Sequence, residues 1–236
     1  MAEPAQAHGR PTARPTVETR AVDRRYDSIA GPVVALFGID LLAERGQLTV
    51  IAGESGSGKS TLLAIVACID RADSGMVLIG DVDVQQLSRP KRRNFRRRSL
   101  GLVLPAPADN LLHSLDAAGN LAWSARRRNG THLDAEARET QLTLVGLEGS
   151  SNKRTGQLSS GEQQRLALLC ALVGDPSLVL ADEPTASLDA AASDRVTEVL
   201  RAAADAGATL MVSTHDERVI EAADAVIRLD HGRRIE

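Results

Sequence analysis

From about Val22 onward, short apolar pulses alternate with amphipathic stretches. "LTVIAG" reads as a strand that ends in glycine, and "KSTLLAIVACI" after it has helical length. "GMVLIGD" is a second strand, followed by the basic run "RPKRRNFRRR" and a third strand, "SLGLVL". Residues 116 to 147 read as helical, with a break near "RNGTHLD" where Asp134 suits an N-cap. "SSGEQQRLALLCALVG" is a helix with Ser159 or Ser160 as its cap, and "SLVLADE" is a buried strand. "DAAASDRVTEVLRAAADAG" predicts a helix closing on Gly207, "ATLMVST" a strand, "DERVIEAA" a short helix and "AVIRLDHGRRI" a closing hairpin. This alternation predicts a mainly parallel sheet with helices on both faces. Residues around 106 to 172 lack strand signals and predict a helical insert. No internal repeat is present.

Composition narrows the picture. The chain has 236 residues, enough for one large α/β domain or two small ones. Aromatic residues make up 2%, so the core must be built from Leu, Val, Ile and Ala. The net charge of -3 gives no electrostatic case for nucleic acid. Cys68 and Cys170 lie inside apolar runs and read as reduced core thiols of a cytosolic protein. The apolar runs are too short to span a membrane, and residues 1–18, rich in Pro, Ala and Arg, read as a disordered tail. The opening residues hold no apolar core of a secretory signal. The run Arg89–Arg98 is expected to be a solvated helix face, with a membrane-surface role second and DNA third.

Three motifs carry chemistry. Gly53, Glu54, Ser55, Gly56, Ser57, Gly58, Lys59, Ser60 and Thr61 fit the phosphate-loop pattern G-x-x-x-x-G-K-[ST] between a strand and a helix. Glycines let backbone N–H groups turn toward phosphate, and the helix N-terminus adds positive charge. Lys59 can reach the β- and γ-phosphates, and the Ser60 hydroxyl can ligate Mg²⁺. "SLVLADEP" delivers Asp182, a candidate metal ligand, and Glu183, a candidate to polarise water. "LSSGEQQR" precedes that strand.

The order of these motifs resembles the ATP-binding cassette (ABC) family of ATPases, over nearly the whole chain. "LSSGE" is similar to the family's signature, so the resemblance implies that Ser159, Ser160, Gly161 and Glu162 meet the γ-phosphate bound by a partner cassette. Asp189 would lie in the dimer-contact loop, His215 at the switch-histidine position and Tyr26 where an aromatic stacks on adenine. On the bland reading, Tyr26 is a half-exposed strand residue and His215 a surface loop histidine. The implied fold is α/β, a P-loop NTPase of ABC type: a mainly parallel core, an N-terminal antiparallel β portion and a helical subdomain at about 106–172 within a domain at 19–236. The implied cofactors are ATP and Mg²⁺. The implied partners are a second cassette and a transmembrane permease, with the chain on the inner face of the cell membrane. Within the family it looks most like lipoprotein-releasing and macrolide-exporter cassettes.

Two departures stand out. Ser160 replaces the usual signature glycine, and Glu162 the usual glutamine. Pro105 follows "LGLVL" where related cassettes place a glutamine facing the metal. Proline has no side-chain oxygen and no N–H, so tight nucleotide binding with slow turnover is expected. Competing readings are a soluble cassette machine in cluster assembly or DNA work, and a regulatory cassette with weak hydrolysis.

Overall fold

The computed structural model describes residues 16–29 and 31–235. Most of the expected tail lies outside that range. Its boundary at residue 18 is corrected, because Val17 is wholly buried and pairs with both Ala43 and Ile79.

The chain begins with β1 (Val17–Ser28) and β2 (Gly31–Ala43), then β3 (Leu48–Ala52), α1 (Lys59–Val66), β4 (Ser74–Ile79) and β5 (Val82–Asp83). α2 (Arg89–Ser99) and β6 (Leu100–Val103) lead to α3 (Ala117–Asn129), α4 (Ala135–Leu144) and α5 (Ser160–Leu172). β7 (Leu178–Asp182), α6 (Ala190–Asp205), β8 (Leu210–Thr214), α7 (Glu217–Glu221), β9 (Ala225–Asp230) and β10 (Arg233–Arg234) complete it. An antiparallel sheet has the order β2-β1-β4-β5, and a second sheet the order β10-β9-β3-β8-β7-β6. In the second sheet every pairing is parallel except β9 with β10.

Period-2 alternation divides the core into two layers. Val179 and Ala181 of β7, with Val50 and Val212, face α3, α5 and α6. Leu178 and Leu180, with Ile51 and Met211, face the other way. There they meet α1 (Leu62, Ile65, Val66) and the antiparallel sheet (Val17, Ile39, Val77). Helices lie on both faces of the parallel sheet, as expected, and α1 shares its face with the expected antiparallel sheet, because the apolar positions of β1 and β2 pack with that helix.

The caps follow the sequence. Asp134 accepts from Ala137 N at 2.8 Å, Ser159 caps α5, and α6 stops just before Gly207, whose φ is 96°. α1 is shorter than its apolar run. It ends at Val66, Cys68 turns left-handed (φ 58°), and the N–H groups of Ile69 and Asp70 both return to Ala64 O. Both cysteines are free and buried, and burial pushes the Cys170 thiol up to about 12. The basic run is only partly a solvated face. Arg92 is buried and donates to Asp70 O, and Arg96 Nη1 donates to Cys68 O at 2.7 Å, so both satisfy carbonyls left by the turn after α1.

Candidate nucleotide-binding site

The site lies where β3 ends, between neighbours β8 and β9 at the carboxyl edge of the parallel sheet. Gly53 (φ 155°) and Gly58 (φ 101°) are required here. A Cβ on Gly53 would strike Leu229 O, and one on Gly58 would lie 2.5 Å from Ala35 O. Glu54, Ser55 and Gly56 form an exposed crest. The turn at Gly232 braces the loop from outside. Its N–H donates to Ser57 O at 3.0 Å and its carbonyl accepts from Phe37 N at 2.7 Å. α1 has no side-chain cap and no acid in its first turn, which includes Lys59, Ser60 and Thr61. First-turn N–H groups have no intrahelical partner, so this end is open to an anion.

Side chains converge on this loop from three segments. Lys59 is buried. Its Nζ donates to Gly53 O (2.8 Å) and Glu54 O (2.9 Å) and lies 3.5 Å from Glu183 Oε1. Ser60 Oγ donates to Asp182 Oδ1 at 3.0 Å, and the Ser213 hydroxyl donates to the same oxygen. Glu183 holds a left-handed backbone (φ 45°), anchored by its N–H to Ser213 O at 2.8 Å. That conformation sets its carboxylate between Lys59 and His215, whose Nδ1 lies 3.0 Å from Glu183 Oε2. Ser213 opens the "STHD" segment that carries His215, but its bond to Asp182 was legible only from its place one strand over.

The signature residues form a second group. Ser159 and Glu162 make a reciprocal capping box, with Ser159 N donating to Glu162 Oε2 (2.8 Å) and Glu162 N to Ser159 Oγ (3.2 Å). The Ser159 N–H, with help from Lys153, holds the Glu162 carboxyl below its ordinary value. Ser160 is exposed. Gly161 is buried, and a Cβ there would meet Ala192 Cβ at 2.8 Å. Asp189 caps α6, accepting from Ala192 N at 2.8 Å. The expected signature and dimer-contact segments therefore pack together at the starts of α5 and α6, and among the described residues no hydrogen bond joins them to the cluster around Lys59.

Tyr26 pairs with Val33 in β2, two positions from the Ala35 carbonyl that packs on Gly58. Pro105 is exposed, two residues beyond Val103, which pairs with Ala181. It therefore follows the end of β6, beside the strand that ends at Asp182. Asn110 closes the loop around it: Leu104 N donates to Asn110 Oδ1 (2.6 Å), and Asn110 Nδ2 donates to Leu104 O (3.0 Å) and Ala106 O (3.1 Å).

A glycine-rich loop opening a helix, beside a hydroxyl–carboxylate pair at the strand edge, defines a P-loop ATPase. Residues 36–186 match the model of the ABC transporter family, and the chain belongs to that family. It is 40% identical over 229 residues to the lipoprotein-releasing system ATP-binding protein LolD of Anaeromyxobacter dehalogenans, covering 94% of each chain. It is 37% identical to the macrolide export ATP-binding/permease protein MacB of Rhodospirillum rubrum, matching 95% of this chain and 34% of that longer one. The dimeric post-hydrolysis structure of the cassette MJ0796 with ADP and Pi superimposes with a TM-score of 0.82 at 30% identity, covering 93% of this chain and 97% of that one. The chain is thus an ATP-binding and ATP-hydrolysing cassette of the transport class, and the readings outside transport fall away.

Proposed function

We propose that this chain binds Mg-ATP at Gly53–Thr61, pairs with a second cassette, and drives a separate membrane permease that exports or extracts its cargo. The carrying observation is the meeting of Lys59, Ser60, Asp182, Glu183 and His215 at one loop. The Ser57 hydroxyl is buried there without a hydrogen-bond partner, and Gly53 and Gly58 let the loop pack against Leu229 and Ala35 where a Cβ would clash. Ser60 and Asp182 offer adjacent hard oxygens, which suit Mg²⁺. When bound, Mg²⁺ supplies positive charge beside the terminal phosphates. Lys59 exchanges its carbonyl partners for phosphate oxygens, and the open N-terminus of α1 receives the remaining negative charge. Glu183 orients and polarises a water, and His215 reads the γ-phosphate from the far side of Glu183. Ser159, Ser160, Gly161 and Glu162 complete the partner's site, with Asp189 beside them at the dimer contact. Tyr26 carries the base.

Among the described residues no helix is long and apolar enough to cross a membrane. In this reading the permease is a separate chain, and the cassette sits against the inner face of the cell membrane.

Pro105 favours a second feature, slow turnover. It follows the end of β6, next to the strand that carries Asp182, and offers no amide, and Asn110 ties its loop down. Loss of an orienting group costs about 10- to 100-fold in rate. Steady-state ATPase of the chain reconstituted with its co-purified membrane partner tests the whole reading. Nucleotide-dependent dimerisation and membrane recovery are expected, with turnover that Glu183→Gln abolishes. Binding of ATP without measurable turnover, even with the permease, would overturn the roles given to Glu183 and His215.

A further inference from the structure

Asp70, just past the end of α1, accepts four hydrogen bonds. Its Oδ1 accepts from Arg71 N (2.7 Å) and Arg24 Nη2 (3.0 Å), and its Oδ2 from Arg24 Nε (3.0 Å) and the Tyr26 hydroxyl (2.7 Å). Arg24 Nη1 also donates to Asp73 Oδ1 at 2.8 Å. The same guanidinium lies over the Tyr26 ring, with its central carbon 4.4 Å from the centroid. The phenol is thus pinned at its oxygen and covered on one face, yet the residue remains 36% exposed. Burial pushes the Asp70 carboxyl up, but the Tyr26, Arg71 and Arg24 donors outweigh it and hold the group below its ordinary value.

The location gives this arrangement its meaning. Val33, opposite Tyr26, is two strand residues, about 7 Å, from the Ala35 carbonyl that packs on the phosphate loop at Gly58. The backbone that carries the ring therefore belongs to the strand pair that packs on the phosphate loop. A freely rotating tyrosine would lose side-chain entropy on stacking with a base, and a ring already fixed by Arg24 and Asp70 loses little.

We propose that Arg24 and Asp70 are positioning residues that hold Tyr26, backed by the Arg24 guanidinium, as a prepared platform for the base of the bound nucleotide. The inference rests on the reading of Gly53–Thr61 as an ATP site. The competing role is structural: the network simply staples β1 to the end of α1.

Calorimetric binding of Mg-ATP and of inorganic tripolyphosphate to the full chain separates the two, because tripolyphosphate has no base. Tyr26→Ala should weaken ATP about tenfold, as loss of one stacked base does, and leave tripolyphosphate unmoved. Asp70→Asn and Arg24→Gln should each weaken ATP about 3- to 10-fold, again with tripolyphosphate unmoved. The double variant Asp70→Asn/Tyr26→Ala should lose no more than Tyr26→Ala, because both act through one ring. Tyr26→Phe keeps the ring and drops one hydrogen bond. Its ATP-specific loss of about twofold supports the inference even where Asp70→Asn folds poorly. The inference is overturned if Asp70→Asn weakens both ligands equally. It is also overturned if Asp70→Asn and Arg24→Gln leave ATP unmoved while Tyr26→Ala weakens it. In that second case the ATP-site reading stands. Wild-type protein that binds neither ligand would instead remove that reading.

Discussion

Lys59 Nζ and Glu183 Oε1 stand 3.5 Å apart, and the ammonium is also held by the carbonyls of Gly53 and Glu54. On the proposed reading, the cation that meets phosphate and the carboxylate that meets water thus share one pocket. Lys59→Ala should abolish measurable ATP binding. Glu183→Gln should keep binding and lower turnover at least about 100-fold, the scale of general-base loss. Paired binding and single-turnover measurements check this. Equal loss of binding in both variants would contradict the division of roles.

Pro105 lies two residues beyond β6, which pairs with the strand that delivers Asp182. Pro105→Gln should raise permease-coupled turnover about tenfold with unchanged ATP affinity. An unchanged rate would show that the proline is not limiting.

The Asn110 amide makes three bonds of 3.1 Å or less to the backbone of the same loop. Asn110→Ala should cost about 1–2 kcal/mol of stability in chemical denaturation. Hydrogen exchange should rise at Leu104, whose N–H loses its acceptor, and an unchanged protection there would count against the clamp.

Gly161 has no room for a methyl group, because Ala192 Cβ would lie 2.8 Å away. Gly161→Ala should destabilise the chain by about 1–3 kcal/mol through overpacking. Ser160→Gly, at an exposed position, should change stability by less than about 1 kcal/mol and act instead on ATP-driven dimerisation. Thermal melts and light scattering separate these two effects.

Glu162 has a folded-state pKa below its ordinary value, chiefly because the Ser159 N–H donates to its carboxylate. A depressed folded pKa contributes stability above the unfolded value and loses it as pH falls through the folded one. Glu162→Gln should therefore melt below wild type at neutral pH. The gap should narrow from about pH 5 downward, since an ordinary Glu titrates near 4.3. A constant gap from pH 7 to pH 3 would rule out this source of stability.

Much of the site was legible because its motifs are local. The phosphate loop, the Asp182–Glu183 strand end, and the Asp134 and Ser159 caps are each set within one short segment. The antiparallel sheet was harder to see. β1 pairs with β2 through register shifts between Thr19 and Val22, Val22 and Arg24, and Arg24 and Arg25, which break the alternation a strand would otherwise display. α1 looked longer than it is because Cys68 is apolar. Its left-handed turn, after which Asp70 reaches Arg24 and Tyr26, leaves no mark in hydrophobic periodicity.

The sequence by itself determined the phosphate loop, the acidic strand end and the membership these motifs carry, because residues a few positions apart have their geometry set by one strand–turn–helix. Tertiary structure decided which distant groups meet: Ser213 on Asp182, His215 on Glu183, Gly232 on Ser57 and Asp70 on Tyr26. Such meetings depend on sheet order and register, which arise from the packing of two apolar layers around the parallel sheet, with α1 between the two sheets.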